Sequence, residues 1–541
     1  MRGVTHARGA VCAVAVALAA TGCGGGGSSS GTGAAVLSSS WGDPQNPLEP
    51  ANTNEVQGGK VLDMIFRGLK KYDPRTGKAT DMLAESIRTE DSRTFTIKVK
   101  DGWTFSNGEK VTARSFVDAW NYGASLRNRQ KNALFFGYID GYDKVHPARG
   151  EQTADTLSGL KVVDDRTFTV RLGQKFSTFP DTLGYAAFAP LPRAFFTDHA
   201  AWLKKPVGNG PYAIQSYMKG SQMSLRKWDG YPGPDKARNG GVDLKVYTDN
   251  NTAYTDLMAG NLDLVDDVPA AQLKNVRSDL GDRYINTPAG IIQTFAFPYY
   301  DKAWNRPGME KVRTGLSMAI DREQITETIF DRTRTPATDW TSPVLGTDGG
   351  FKPGLCGRAC EYHPEQAKKL IKEGGGIPGG QVRITYNADT GSHKEWVGAV
   401  CNSINNALGN GKACVGNPVG TFADFRNRIG RHKMSGPFRA GWQMDYPLIQ
   451  NFLQPLYYTD ASSNDGKWSD ADFDRLVDRA NAETDRAKAV TLFQRAEEVV
   501  RDNMAAIPLW YQNGSAGYSE RLSDVALNPF SVPVYNEIKV S

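Results

Sequence analysis

A short apolar run, Val11–Ala20 (VCAVAVALAA), lies between a basic start carrying Arg2 and Arg8 and a stretch, GGGGSSSGTGAA from Gly24 to Ala35, that has nothing to bury. The run falls short of the roughly 20 residues of a transmembrane helix, and its flanks are those of an export signal. The Gly/Ser stretch is expected to act as a flexible tether. These two segments divide the chain before any secondary structure is considered. Residues 1–22 are expected to be a signal peptide, residues 23–35 a leash, and the folded part begins near Val36. At the junction stands Cys23.

Ala20-Thr21-Gly22-Cys23 resembles the cleavage box of bacterial lipoproteins, with Ala20 where leucine is usual. In such a box the signal is cut before the cysteine and the thiol is acylated. Each buried methylene of an acyl chain contributes about 0.8 kcal/mol, so two or more chains make a stable anchor. The resemblance implies a protein on the outer face of the cytoplasmic membrane, extracellular or periplasmic, held through its lipid alone. The competing reading is an ordinary secretory signal with an unrelated cysteine.

About 500 residues follow Cys23, enough for two or three packed lobes. The formal charge is 64 − 59 = +5, or +3 once Arg2 and Arg8 leave, evenly mixed along the chain. That balance gives no footprint for nucleic acid. Cys12 leaves with the signal, so the exported fold holds Cys356, Cys360, Cys401 and Cys414. Three pairings are possible. Local pairing, Cys356 with Cys360 and Cys401 with Cys414, closes the shortest loops and is the one expected. A zinc site at Cys356, Cys360 and His363 lacks a fourth ligand at matching spacing.

Alternation of apolar and polar residues predicts strands at Thr94–Val99 and 166–172, each after an acidic turn. Between them Ala113–Trp120 reads as helix, with Phe116, Val117 and Trp120 on one face. Further on, 309–329 predicts one helix with Val312, Leu316, Ala319 and Ile320 as its stripe, and 363–373 another. Ser469 and Asp472 suggest a capping box, and Ala489, Leu492, Phe493, Ala496, Val499 and Val500 line the next helix. From Ile507 the chain reads as strand again. The class is mixed α/β.

The stretch KDGWTFSNGEKVTARSFVDAW, Lys100 to Trp120, is similar to the signature of the solute-binding proteins of peptide and nickel ABC importers, family 5. Asn107-Gly108 supplies a positive-φ turn and Thr112 a helix cap, with Ser115 in place of the usual Asp. PVGNGPY (Pro206–Tyr212), Ala259 to Asp263, Val312-Arg313, Ala319 to Arg322, GWQMDYP (Gly441–Pro447), Phe473-Asp474 and Ile507 to Leu509 follow in the family's order. The resemblance covers essentially the whole exported chain and points to the oligopeptide-binding branch.

That resemblance implies a periplasmic-binding-protein-like α/β clamshell of the large three-lobe type: two α/β lobes around a cleft plus an inserted lobe. Lobe I would combine 36–66, 201–288 and 505–541, lobe II would be 67–200, and lobe III 289–504. Ligand would be enclosed between lobes I and III by hinge closure, with lobe II largely away from it. In the oligopeptide branch the Gly-Trp-x-x-Asp-Tyr motif presents a carboxylate to the ligand's α-ammonium; here that residue is Asp445, with Trp442 beside it. The competing reading pairs Asp445 with a neighbour such as Arg439 or makes it the cap of a turn. Across the cleft, Asn54, Glu55 and Val56, ahead of a helix expected over 60–69, would meet the ligand's main chain as an added strand, as would the backbone of Gly441 and Gln443.

The resemblance thus implies a monomeric importer component that captures short peptides and delivers them to ABC permease subunits with cytoplasmic ATPases. Neither cofactor nor metal is expected. The alternatives are the same fold around a nickel complex, sugar, haem or other metabolite, a signalling lipoprotein, or a secreted hydrolase. Six histidines without an i, i+4 pair disfavour nickel. No Gly-x-Ser-x-Gly, His-Glu-x-x-His or Cys/His arrangement supports an enzyme.

Overall fold

The computed structural model describes residues 34–388, 393–461 and 463–541. Cys23, the signal and most of the tether lie outside the described residues. A mixed sheet of eleven strands organises the rest. Its order is Cys414–Val419, Val382–Asn387, Phe438–Gln443, Tyr284–Ala296, Ala506–Tyr518, Leu264–Val265, Val36–Trp41, Gly241–Val246, Gln222–Lys227 and Tyr212–Met218, with Arg334–Pro336 also paired to Ala506–Tyr518.

The two central strands, Tyr284–Ala296 and Ala506–Tyr518, are 13 residues long and antiparallel. Each contributes to both halves of the sheet. Ile292, Phe295, Leu509 and Trp510 belong to a core with Trp304, Trp340, Trp396 and Phe452. Ala516, at the far end, joins a core that runs from Leu37 and Val61 through Phe95, Trp120 and Phe168 to Leu225 and Tyr535. The register slips between Pro288 and Ile291, where Pro288 cannot donate to the ladder. The result is an α/β clamshell in which two bodies share a pair of strands.

A second sheet of four strands carries Thr94–Val99 beside Thr167–Arg171. These two similar segments pair with each other, Phe95 opposite Val170 and Ile97 opposite Phe168, so their apolar faces coincide. The helix Ala113–Ala124 packs over them, and Ser115 accepts the Thr112 amide at 3.1 Å. The serine that departs from the family pattern therefore completes the cap.

Three sequence expectations are corrected here. The single helix over 309–329 is two, Met309–Met318 and Arg322–Phe330, because Asp321 caps the second by accepting the Gln324 amide. Arg322 turns inward at that break and satisfies its buried guanidinium on the carbonyls of Ser317, Cys360 and Pro508. Asp470, not Ser469, caps the helix Ala471–Ala482, while Ser469 bonds Thr459. The helix expected over 60–69 is Val56–Ile65, with Glu55 as its cap. Both cysteine pairs are local, Cys356–Cys360 and Cys401–Cys414.

Candidate functional site

The strand Phe438–Gln443 pairs along its length with Tyr284–Ala296, from Phe438 opposite Ala296 to Gln443 opposite Ile291. On its other edge only Phe438 meets a strand, at Thr385. From Arg439 to Gln443 that edge has no strand partner among the described residues. A bare edge is a template for another extended chain, and Gly441 sits exposed at its middle.

Directly after this edge the chain turns through Met444 and Asp445 into the helix Ile449–Tyr457. That helix is held by Phe452 and Leu453 in the core, which drives Asn451 inward beneath the turn. Asn451, 1% exposed, uses its whole amide. Its Oδ1 accepts from the Asp445 backbone N at 2.8 Å and from Trp442 Nε1 at 3.1 Å, and its Nδ2 donates to Asp445 Oδ2 at 3.1 Å. One carboxylate oxygen is thereby fixed, on a residue that lines a cavity.

No protein cation pairs with Asp445 among the described residues. Burial raises its carboxyl to about 7, against the opposing pull of the Asn451 hydrogen bond. Burial likewise pushes the hydroxyls of Tyr72, Tyr185 and Tyr446 well above the ordinary tyrosine range, and the nearby Asp445 charge adds to it. Arg439 is engaged elsewhere. Its Nε donates to Asn387 at 2.7 Å, and its guanidinium lies 5.3 and 5.2 Å from the ring centres of Phe422 and Phe425.

A cavity of about 290 Å³ opens in front of Asp445. Asn54, Glu55, Val56 and Asp63 form one wall, Gln443 to Asp445 the facing one, and Tyr72, Tyr185 and Phe530 add aromatic surface. Glu55 caps the helix Val56–Ile65 by accepting the Gly58 amide at 3.0 Å. A second cavity of about 230 Å³ lies farther along the strand and is lined by Arg439, Gly441 and Trp442 with Arg426, Asp465 and Phe422. An aromatic, acid-bearing cavity at the end of an open strand edge is suited to holding an ammonium group and extended chain behind it.

Residues 78–464 match the family model described as bacterial extracellular solute-binding proteins, family 5 middle. The chain belongs to this family. The solute-binding protein is also similar to the oligopeptide-binding protein OppA of Bacillus subtilis, 24% identical over 89% of this chain and 88% of that one. With the periplasmic OppA of Escherichia coli it shares 24% identity over 87% and 86%. In fold it resembles the murein tripeptide binding protein MppA of Escherichia coli, with a TM-score of 0.78, 19% identity, and 94% and 99% of the two chains covered.

Within this solute-binding protein the residues singled out from sequence fall into two groups. Asn54, Glu55, Val56, Gln443 and Asp445 share the first cavity, while Gly441 and Trp442 line the second. Trp442 is tied back to the first through Asn451. Val56 requires a correction: it is the first residue of a helix, so the extended backbone on that wall ends at Glu55. The segment expected to stand away from the ligand, 67–200, supplies Gly68, Tyr72, Gly184 and Tyr185 to the cavity wall. Sequence reasoning missed Asn451, Tyr72, Tyr185 and Phe530. Only Asn451 left a trace, as an amide six residues after Asp445 in the buried first turn of the helix.

Proposed function

We propose that this solute-binding protein captures short peptides, with the ligand's α-ammonium on Asp445 and its main chain along the open edge of Phe438–Gln443. The observation that carries this reading is the Asp445 carboxyl, enclosed among tyrosines, oriented by Asn451 and without a cation partner among the described residues. A zwitterionic peptide loses hydration around its amine on entering a closed cleft, and a fixed carboxylate replaces it. Strand addition engages groups common to all peptides, so side-chain tolerance follows. Gln443 and Gly441 act through their backbone, and the extended residues before Val56 meet the ligand from the other wall. Lobe I (36–66, 201–288, 505–541) and lobe III (289–504) close over the ligand about their shared strands, with 67–200 as the inserted lobe. The protein is a binding component, anchored through acylated Cys23, that hands peptide to an ABC permease.

Calorimetry with a tripeptide and its N-acetylated form tests this. The free-amine peptide should bind, acetylation should weaken it strongly, and Asp445→Ala should cost about 2–5 kcal/mol of the free-amine affinity. Equal affinity for the two forms would remove Asp445 from the site. After incubation the peptide should be recovered intact, and its hydrolysis would replace the binding role by a catalytic one.

A further inference from the structure

The segment 67–200 does more than line the cavity. It is bonded to the helices that follow the strand edge at three separate points. Tyr138 Oη accepts from Gln450 Nε2 at 3.0 Å, the Ser177 amide donates to the Asn481 carbonyl at 2.8 Å, and Arg486 meets Asp181 at 2.6 Å. At a fourth point the tip of a hairpin packs on the turn after Asp445: a Cβ on Gly77 would lie 3.3 Å from that of Pro447.

Gln450 stands where these contacts meet the binding site. It is 1% exposed, accepts from the Tyr446 hydroxyl at 2.9 Å, and sends its second amide hydrogen to Gln454 at 2.7 Å. Consecutive residues therefore face two ways: Gln450 holds the segment 67–200 through Tyr138, and Asn451 holds Asp445. A second route runs through the cavity wall. Tyr72 donates its hydroxyl to the Asp181 carbonyl at 3.1 Å, and the Asp181 carboxylate holds Arg486. If the segment lifts away, a buried amide hydrogen of Gln450 loses its partner, which makes separation costly in a way an exposed contact is not.

We infer that Gln450 is a positioning residue that couples ligand on Asp445 to docking of the segment 67–200, with Tyr138 as its partner, so that the segment is a clasp that slows ligand release. The inference rests on the reading of Asp445 as the amine anchor. Ligand on Asp445 adds a further contact to the geometry that Asn451 already holds. That geometry holds the first turn of the helix Ile449–Tyr457 where Gln450 reaches Tyr138. Release then requires the Tyr138, Asn481 and Arg486 contacts to break together, while first encounter does not require them to form. The effect belongs to dissociation more than to association.

Stopped-flow tryptophan fluorescence with trialanine tests the clasp. Tyr138→Phe removes one hydroxyl that lines neither cavity and should raise the dissociation rate constant about fivefold with association unchanged. Gln450→Leu should raise it at least as much, and adding Tyr138→Phe to it should have no further effect, because the two act through one bond. A purely structural role would lower the melting temperature without this split between rate constants and without coupling. Unchanged release from Tyr138→Phe, or two independent additive effects, overturns the clasp while leaving the amine anchor standing. Failure of the parent protein to bind trialanine or any other free-amine tripeptide overturns the anchor and the clasp with it. Should Gln450→Leu fail to fold, Tyr138→Phe decides alone.

Discussion

Asp445 serves two opposed conditions with one carboxyl. Burial favours its neutral form, and its titration sits at about 7, whereas an ammonium ligand needs it ionised. Below pH 7 a bound peptide must therefore displace a proton, and the fall in affinity should approach about tenfold per pH unit below pH 6. Calorimetry at pH 8, 7 and 6 reads this directly: a free-amine tripeptide should lose about fivefold between the last two points, and a flat profile would show that Asp445 does not titrate under the ligand. The same shift bears on stability with a definite sign. A carboxyl raised on folding stabilises the native state below its unfolded value near 4, and that contribution is lost as pH rises through 7. Asp445→Asn keeps the shape and removes the ionised form. It should be more stable than the parent at pH 8, by about 4 kcal/mol for a carboxyl raised from near 4 to about 7, and no more stable at pH 4, as thermal melts at the two pH values will read. Asp445 itself was legible because a contiguous motif carries it. Its neighbours were not: Tyr72, Tyr185 and Phe530 reach the cavity from three distant stretches of chain, and nothing local in their sequence marks them.

The helix Arg486–Asn503 shows what periodicity conveys about an element and what it hides. Its apolar stripe was legible, yet Glu497 lies on that same face, fully buried beside Phe493, Ala496 and Val500. Its Oε1 accepts the Trp340 amide at 3.0 Å, next to the buried carboxyl of Asp339. Burial lifts Asp339 to about 6, against the hydrogen bonds it accepts, and lifts Glu497 well above the usual carboxylate range, where the Asp339 charge adds to the rise. Both raised groups stabilise the fold when protonated, so their contribution is complete below about pH 4 and is lost as pH rises through 6 and beyond. Glu497→Gln should flatten the decline in melting temperature between pH 5 and 8, and an unchanged slope would assign that decline elsewhere. Other elements departed from the sequence for equally local reasons. The stripe over 309–329 keeps its phase across a break, so only Asp321 as a cap and Arg322 turned inward reveal two helices. The strands at 94–99 and 167–171 were legible as strands; that they are each other's partners was not. The cysteine pairs were legible because short loops favour them.

For the whole molecule, family resemblance conveyed more than pattern. The mixed α/β class followed from periodicity, but the clamshell followed from motifs spread over the chain, and no local signal shows that two strands unite both bodies. At this scale the anchor gives a direct prediction. Cys23→Ser should move the protein from the membrane fraction to the medium with its melting temperature unchanged, and continued membrane retention would refute acylation at Cys23. The shared strands have a further consequence, in the order of events during synthesis. Ala506–Tyr518 comes more than 200 residues after both of its neighbours in the chain yet occupies the centre of the sheet, between Tyr284–Ala296 and Leu264–Val265. Both cores therefore lack a wall until Ala506–Tyr518 has emerged. Whatever passage the chain takes out of the ribosome or across a membrane, it travels as an unfinished molecule, and its native state forms in one late step once the last central strand arrives.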